Sequence, residues 1–399
     1  MKFIIYADEQ QGIFKEIMKA VRGQKGGVFF LHGYGSTGKT YMWQTLASAL
    51  RAKHDIYITV ATSGIASLLL PGGRTTQSRF KILVPMLDNL TCNIPYHDVA
   101  ADLLRHAKLI IWNEALMANK WCFEALDKTL KDLMSVARNS NYVFGGKVVV
   151  FGGDFRQILP VILRGSRLDI IARNHKRFLH LALCQEEGRL GGPNDGTTEI
   201  DFPPDFLDNY RDYNYMKNMA ILASTIDMVD KINDHVLALM PGDLRDYYSS
   251  DAVDHSEIHD KDMLDVLTPE FLSSLKNSRL PNHHIKLNID TPIMLMRNID
   301  QSEGLCNGTR LISPWPFKLS RRQFPVIVSY STMINKSQGQ SLDWVGLYIP
   351  RDVFTHGQIY VDLSRVTSKQ GIKILVHDDN GTAKNSTANV VYKEVFNNA

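Results

Sequence analysis

Eight consecutive residues, Gly33-Tyr34-Gly35-Ser36-Thr37-Gly38-Lys39-Thr40, fit the pattern G-x-x-x-x-G-K-[ST] without a mismatch. Residues of these types at this spacing hold the phosphates of a nucleoside triphosphate. The glycines let backbone N–H groups curl around phosphate oxygens, the Lys39 ammonium reaches the β and γ phosphates, and the Thr40 hydroxyl can ligate Mg²⁺. A P-loop that hydrolyses its nucleotide also needs a strand-end carboxylate near the metal and another to orient water. The run Leu109-Ile110-Ile111-Trp112-Asn113-Glu114 offers that strand end. Glu114 has the chemistry of the base that orients water, whereas Asn113 brings a neutral amide where an anion is usual. One missing charge beside Mg²⁺ costs about 1 to 4 kcal/mol at effective dielectrics of about 80 to 20. Thr40, Asn113 and Glu114 are thus the metal-side candidates. Farther on, Gly152-Gly153-Asp154-Phe155-Arg156-Gln157 follows an apolar run and ends in an amide suited to sensing a γ-phosphate.

Chemistry of this kind needs a scaffold that presents loops at strand ends. Val28-Phe29-Phe30-Leu31 reads as a short buried strand and Tyr41 to Ala52 as a helix, so the phosphates would sit on a helix N-terminus. Ile56 to Ala61, Leu109 to Trp112 and Lys147 to Phe151 are further runs of buried-strand length, spaced widely enough for crossover helices at Ser63 to Leu70 and Phe123 to Met134. This alternation predicts an α/β fold with a parallel sheet over residues 1–190. Residues 188–205 are punctuated by Gly191-Gly192-Pro193-Asn194-Asp195-Gly196 and Pro203-Pro204, which marks a linker. A second α/β pattern follows, with candidate strands at Met219 to Ala223, Val326 to Ser329, Trp344 to Ile349 and Ile372 to Val376. Its parts are expected at 206–267 and 313–385, interrupted by a small β module at 268–312 and closed by a tail at 386–399.

Composition narrows the class. The 399 residues are 44% hydrophobic and 22% charged, which suits globular domains with sizeable cores. A net charge of +3 permits a nucleic-acid partner without demanding one. Cys92, Cys122, Cys184 and Cys306 lie far apart with no C-x-x-C pair, which argues against a disulfide scaffold or a zinc ribbon and for a reducing compartment. A metal site joining Cys306 to His283 and His284 is the weaker alternative to ordinary structural histidines. No secretory leader is evident, and no apolar run approaches the roughly 18 residues of a membrane span. A nuclear, mitochondrial or cytosolic protein without a membrane partner is expected.

Taken together, the motifs resemble the Pif-type DNA helicases of superfamily one, especially copies from plants and rolling-circle transposons. The residues that carry the likeness are the P-loop, Ser63-Gly64-Ile65-Ala66, Gly72-Gly73-Arg74-Thr75, Gly152 to Gln157, Leu305-Cys306-Asn307-Gly308-Thr309-Arg310, Ile334-Asn335-Lys336-Ser337-Gln338-Gly339-Gln340-Ser341-Leu342 and Tyr360 to Ser368. The resemblance implies two RecA-like domains with ATP between them and single-stranded DNA across their top, and 5′ to 3′ motion. It implies ATP and Mg²⁺ as cofactors, single-stranded DNA and duplex junctions as partners, a monomer, and work in recombination, repair and telomere maintenance. On this likeness Gln10 reads adenine, and Gly33, Gly35, Ser36, Thr37, Gly38, Lys39 and Thr40 cradle phosphate and metal. Glu114 is the general base and Gln157 the γ-phosphate sensor. Arg365 is the cationic finger, and Gln338 and Gly339 couple the nucleotide to DNA. Thr76, Ser78, Asn335, Lys336 and Ser337 are the DNA-contact candidates, with hydroxyls and amides suited to phosphates. The residues by themselves leave two alternatives open: Gln10 as part of a helix face, and Arg365 in a surface ion pair. Lys318, Arg321 and Arg322 read as a solvated charged face.

Departures accompany the matches. Asn113 stands for the family's Asp, Gln77 for a usual His, and Thr332-Met333 reverses the usual order. Ile170 to Gly188 is too short for the family's Asn-x-Arg element, leaving Arg173 and Arg177 as the nearest substitutes, and a second shortening falls between Leu311 and Ser313, before the family pattern rejoins at Pro316-Phe317-Lys318. The chain has the look of a trimmed copy. Two readings follow: an ATP-driven DNA helicase, or an ATP- and DNA-binding relic with little turnover. A small-molecule P-loop kinase would leave the second half unexplained.

Overall fold

Leu109–Asn113 is buried at every position, which requires a strand covered on both faces. In the computed structural model, the described residues are 8–23, 26–33, 37–82, 90–135, 142–160, 167, 197–201, 220–240, 242–253, 271, 273, 281–289, 291–296, 319–338, 342–353, 355–366, 368–378 and 382–392. The chain divides into two units. One takes Met1–Thr198, Phe354–Val361 and Asn389–Ala399, and the other takes Glu199–Val353 and Asp362–Ala388. Residues 354–361, which the sequence pattern assigned to the second α/β half, belong to the first unit.

In the first unit α1 (Asp8–Gly23) precedes β1 (Gly27–His32), and α2 (Lys39–Arg51) leads to β2 (Tyr57–Ala61). Next come α3 (Gly64–Leu68), β3 (Arg74–Thr75), α4 (Thr76–Phe80) and α5 (Val99–His106). The last elements are β4 (Leu109–Asn113), α6 (Lys120–Leu133) and β5 (Val148–Gly153). The five strands pair in parallel in the order β1-β5-β4-β2-β3. Because side chains alternate along a strand, each strand feeds both faces. Leu109, Ile111, Val148 and Val150 enter the core that holds Ile17 and Met18 of α1 and Met42, Leu46 and Leu50 of α2. Ile110, Trp112, Val149 and Phe151 enter the opposite core with Phe123, Leu126 and Leu130 of α6. There Trp112 stacks on Phe123 with ring centroids 4.3 Å apart. Side-chain caps set the helix starts: the Ser63 hydroxyl accepts from Ala66 N, and Asp98 and Asn119 cap α5 and α6 in the same way.

β6 (Thr197–Asp201) falls inside the stretch read as a linker; the rest of residues 188–205 lies outside the described residues, as do Arg173 and Arg177. The second unit continues with β7 (Ala220–Ala223), α7 (Ile226–Leu239), β8 (Arg245–Tyr248) and β9 (Ser250–Val253). β10 (His284–Leu287), β11 (Ile293–Leu295), β12 (Leu319–Arg322), β13 (Val326–Val328) and β14 (Ser331–Met333) follow. The chain then runs through α8 (Ile334–Ser337), β15 (Val345–Ile349), α9 (Gln358–Leu363), β16 (Ile372–His377), β17 (Ala383–Lys384) and β18 (Ser386–Val390). Its main sheet has the order β14-β7-β15-β16-β17, parallel except for β17.

One expected strand changes partners. Val326 to Ser329 was read into the α/β sheet, but β13 pairs antiparallel with β11, and the short polar β14 takes the sheet position beside β7. Asn233 of α7 explains the switch. Its amide donates to Val328 O and Ser331 O, each at 3.2 Å, and its Oδ1 accepts from Ser331 N at 2.7 Å. A buried amide thus satisfies the backbone where the chain leaves one ladder and enters another, which strand periodicity does not signal. Within the expected module at 268–312, the described strands are β10 and β11. They pair with β8 and β13, both outside that range.

Candidate nucleotide site

The described part of the P-loop motif enters α2 through a left-handed glycine. Gly38 has φ 84° and opens α2, a conformation that favours glycine, and a Cβ on Gly33 would lie 2.5 Å from Thr37 Oγ1. Lys39, at the first position of α2, turns its ammonium back to donate to Gly33 O. Tyr34, Gly35 and Ser36 lie outside the described residues. Gln10 of α1 reaches the same loop, with Nε2 donating to Thr37 O at 3.2 Å. A distant amide and the phosphate loop, 27 residues apart, are therefore neighbours.

The ends of β4 and β5 border the start of α2. Trp43, one turn beyond Lys39, is fully buried, and its indole N–H donates to Asn113 Oδ1 at 3.1 Å. Gly152 makes room for this pair, since a Cβ there would lie 2.4 Å from Trp43 Cζ2 and 3.3 Å from Asn113 Oδ1. Glu114 follows with φ 51° and ψ 43°. A left-handed conformation for a non-glycine residue costs about 1 to 3 kcal/mol and tends to occur where a side chain is being aimed. Among the described residues no three His, Cys, Asp or Glu side chains gather as a metal site. The protein oxygens that suit a nucleotide-borne Mg²⁺ here are those of Thr40 and Glu114. Asn113 Oδ1, which accepts from Trp43, is a neutral oxygen and a weaker partner for the ion than a carboxylate.

Asp154 anchors the segment that ends at Gln157. It is 1% exposed, and its Oδ1 accepts from Arg156 N at 3.0 Å while Oδ2 accepts from Tyr360 OH at 2.6 Å. Gln157 is buried and its backbone N–H donates to Asp154 O at 3.0 Å. His356 Nε2–H donates to Phe155 O at 2.8 Å, and its Nδ1 accepts from Tyr392 N at 3.0 Å, which fixes the neutral Nε2–H tautomer. Gly357, at φ 77°, passes so close that a Cβ would lie 2.4 Å from Arg156 O. Trp43, Asp154, Tyr360 and His356 were not among the sequence candidates as site-shaping residues. Asp154, inside the Gly152 to Gln157 motif, and Tyr360, which opens the last motif, carried a signal that could have found them.

Arg365, Gln338 and Gly339 lie in the second unit. Arg365 is 5% exposed and donates from Nη2 to Ser364 Oγ at 2.8 Å and from Nη1 to Ser337 O at 3.4 Å, so it is not a surface residue. It thereby ties the end of α8 to the last motif. Gln338, which follows Ser337 at the end of α8, is buried, and Gly339 is outside the described residues. Asp362 is completely buried, and neither of its carboxylate oxygens has a hydrogen-bond partner among the described residues. Burial pushes its carboxyl well above the ordinary carboxylate range, a rise that the nearby Arg365 charge opposes.

The DNA-contact candidates differ in exposure. Thr76 and Ser337 are buried; Thr76 Oγ1 donates to Gln77 Oε1 at 3.1 Å and Ser337 Oγ donates to Ile334 O at 2.8 Å. Ser78, Asn335 and Lys336 are half-buried. Burial lowers the Lys336 ammonium, with Asp230 pulling the other way. Lys336 and Asp230 line a cavity of about 580 Å³ in this unit. Cys306 lies outside the described residues, and His283 and His284 instead bond Ser249 and Asp246 at 2.7 and 2.5 Å. No helix among the described residues is long and apolar enough to cross a membrane.

With this geometry in view, residues 5–182 match the family model of PIF1-like helicases, and residues 270–313 match that of the DNA helicase Pif1 2B domain. Together the matches cover more than half of the chain. The chain is 26% identical to the ATP-dependent DNA helicase PIF1 of Danio rerio over 95% of this chain and 63% of that protein. The chain spans about three fifths of the length of the curated PIF1 relatives it matches. Among solved structures it resembles a Pif1 helicase studied at forked double-stranded DNA with two coordinating copies (TM-score 0.62, 21% identity, 95% of this chain and 93% of that one). It also resembles Pif1 helicase from Bacteroides in complex with ADP-AlF3 and single-stranded DNA (TM-score 0.61, 20% identity, 95% and 94%). These likenesses establish the mixed α/β architecture with parallel sheets as that of RecA-like P-loop domains.

Proposed function

We propose, from the premise that this chain belongs to the Pif1-like helicase family, that it is an ATP-dependent DNA helicase moving 5′ to 3′ on single-stranded DNA. The observation that carries the proposal is the junction in the first unit. Gln10, the P-loop lysine at the head of α2, and the strand end Asn113-Glu114 are assembled on one parallel sheet. In this reading Gln10 recognises the adenine edge, Lys39 neutralises β and γ phosphate charge, and Glu114 orients the attacking water. Gln157 senses the γ-phosphate from a segment held by Asp154, and Arg365 neutralises the charge that develops in transfer. Mg²⁺ would arrive with the nucleotide and lower the charge on its phosphates.

Single-stranded DNA and duplex junctions are the proposed partners, supported by the DNA-bound Pif1 helicases that share the fold. Recombination, repair and telomere maintenance in the nucleus are the corresponding settings, and a monomer is the proposed acting form. Strand displacement on duplexes with a 5′ or a 3′ single-stranded tail tests the activity and its direction. ATP-dependent opening of the 5′-tailed duplex alone is the expected result; opening of the 3′-tailed duplex alone would reverse the direction. A second reading, an ATP- and DNA-binding relic with little turnover, draws on Asn113, a neutral residue with its oxygen engaged. ATP-dependent DNA binding without displacement of either duplex would favour it.

A further inference from the structure

Each residue from Asp154 to Gln157 touches the segment between His356 and Tyr360, and His356 is in turn held by the end of the chain. Tyr360 OH donates to Asp154 Oδ2 and His356 Nε2–H to Phe155 O at 2.8 Å. Gly357 passes so close that a Cβ would lie 2.4 Å from Arg156 O and 2.9 Å from Gln157 O. On the far side of the imidazole, the Tyr392 backbone N–H donates to Nδ1 at 3.0 Å, and the two rings stack with centroids 5.5 Å apart. A backbone N–H only donates and a carbonyl only accepts, so both ring nitrogens are committed. Gly357 N donates to Val390 O at 3.3 Å, and Tyr392 and Phe155 enter the same hydrophobic core. His356 is 2% exposed, and all of these residues belong to the first unit. A segment expected only as a closing tail is therefore tied, through one rigid ring, to the turn that ends in Gln157.

We propose that His356 is a positioning residue for Gln157, and that Val390 to Tyr392 form the brace that sets it. The inference rests on the γ-phosphate reading of Gln157 and deepens it. A polar group that reads phosphate works best when it is aimed before the nucleotide arrives, which requires supporting residues that are themselves held. The Gln157 N–H is bonded to Asp154 O, so the aim of its side chain follows the turn that His356, Gly357 and Tyr360 hold. ADP, which has no γ-phosphate, should not register the brace.

Fluorescent ADP and a fluorescent non-hydrolysable ATP analogue, each titrated into the full chain with Mg²⁺, test this without requiring turnover. The ratio of the two affinities reads the γ-phosphate. Gln157→Ala should shift the ratio about tenfold against the analogue, the scale of one hydrogen bond to a charged group, and keep ADP affinity within about twofold. His356→Phe should shift it a few-fold in the same sense with ADP again unchanged. The double variant should lose no more than Gln157→Ala alone, because both changes act through one amide. Tyr392→Ala should also shift the ratio, whereas Tyr392→Phe, which keeps the stacked ring and the backbone donor, should stay native. This pair carries the test if His356→Phe lacks a cooperative melt. Merely structural damage weakens ADP and analogue together and leaves their ratio alone. That result, or a double variant whose losses multiply, overturns the positioning role and leaves the sensor reading intact. A native ratio in Gln157→Ala overturns the sensor reading, and the inference with it.

Discussion

Asn113 in the first unit and Asp362 in the second are both buried polar side chains within functional motifs, and they are treated in opposite ways. Asn113 is neutral and its oxygen accepts an indole hydrogen bond, whereas Asp362 is a carboxyl in full burial with neither oxygen bonded among the described residues. The first arrangement meets the rule that buried polar groups find partners, and the second departs from it. A departure at this position, three residues before Arg365, holds an acidic group beside the arginine proposed for transition-state charge. The contrast is between an amide whose oxygen has a donor and a carboxyl that burial pushes toward its neutral form.

The largest effect should come from removing that carboxyl. Asp362→Ala is expected to raise the stability of the second unit by about 2 to 3 kcal/mol at neutral pH, the scale of an unsatisfied buried polar group. Urea denaturation checks it, and a loss of stability would show that the carboxyl is satisfied after all. The sign of the pH dependence follows from its raised carboxyl. Relative to the variant, the native chain should be at its best below the ordinary aspartate range, near about pH 4, and should lose ground as pH rises toward the folded-state value.

The converse should hold in the first unit. Tyr360→Phe removes the hydroxyl that donates to buried Asp154, and should cost about 2 kcal/mol as a charge-assisted bond is lost. Trp43→Phe leaves Asn113 without its donor and should cost about 1 kcal/mol. Thermal melts of these variants would sharpen the contrast; an unchanged midpoint for both would erase it.

How much of this could be read in advance depends on the distance over which each feature acts. The run Leu109 to Trp112 became β4, Ile56 to Ala61 became β2, and Tyr41 to Ala52 lies within one residue of the end of α2, because buried-strand runs and helix composition are local. The P-loop stood out as a motif for the same reason, since its residues are consecutive. The pairings that shape the site were not. Trp43 and Asn113 are 70 residues apart, and Asp154 and Tyr360 are 206 apart, so no periodicity joins them. Val326 to Val328 was legible as a strand but not as part of a separate ladder, because its partner is chosen by the bend that Asn233 pins. Asp362 gave no warning either, for an acid within a helix-like segment reads as solvated until its neighbours are known.

The most direct test of the account is steady-state ATP hydrolysis with and without single-stranded DNA, run on the native chain beside Lys39→Ala. The account predicts DNA-stimulated turnover in the native chain and a loss of about a hundredfold or more in the variant, the scale of removing one preorganised charge from phosphoryl transfer. Turnover that DNA leaves unchanged, or that survives without the Lys39 ammonium, would contradict it.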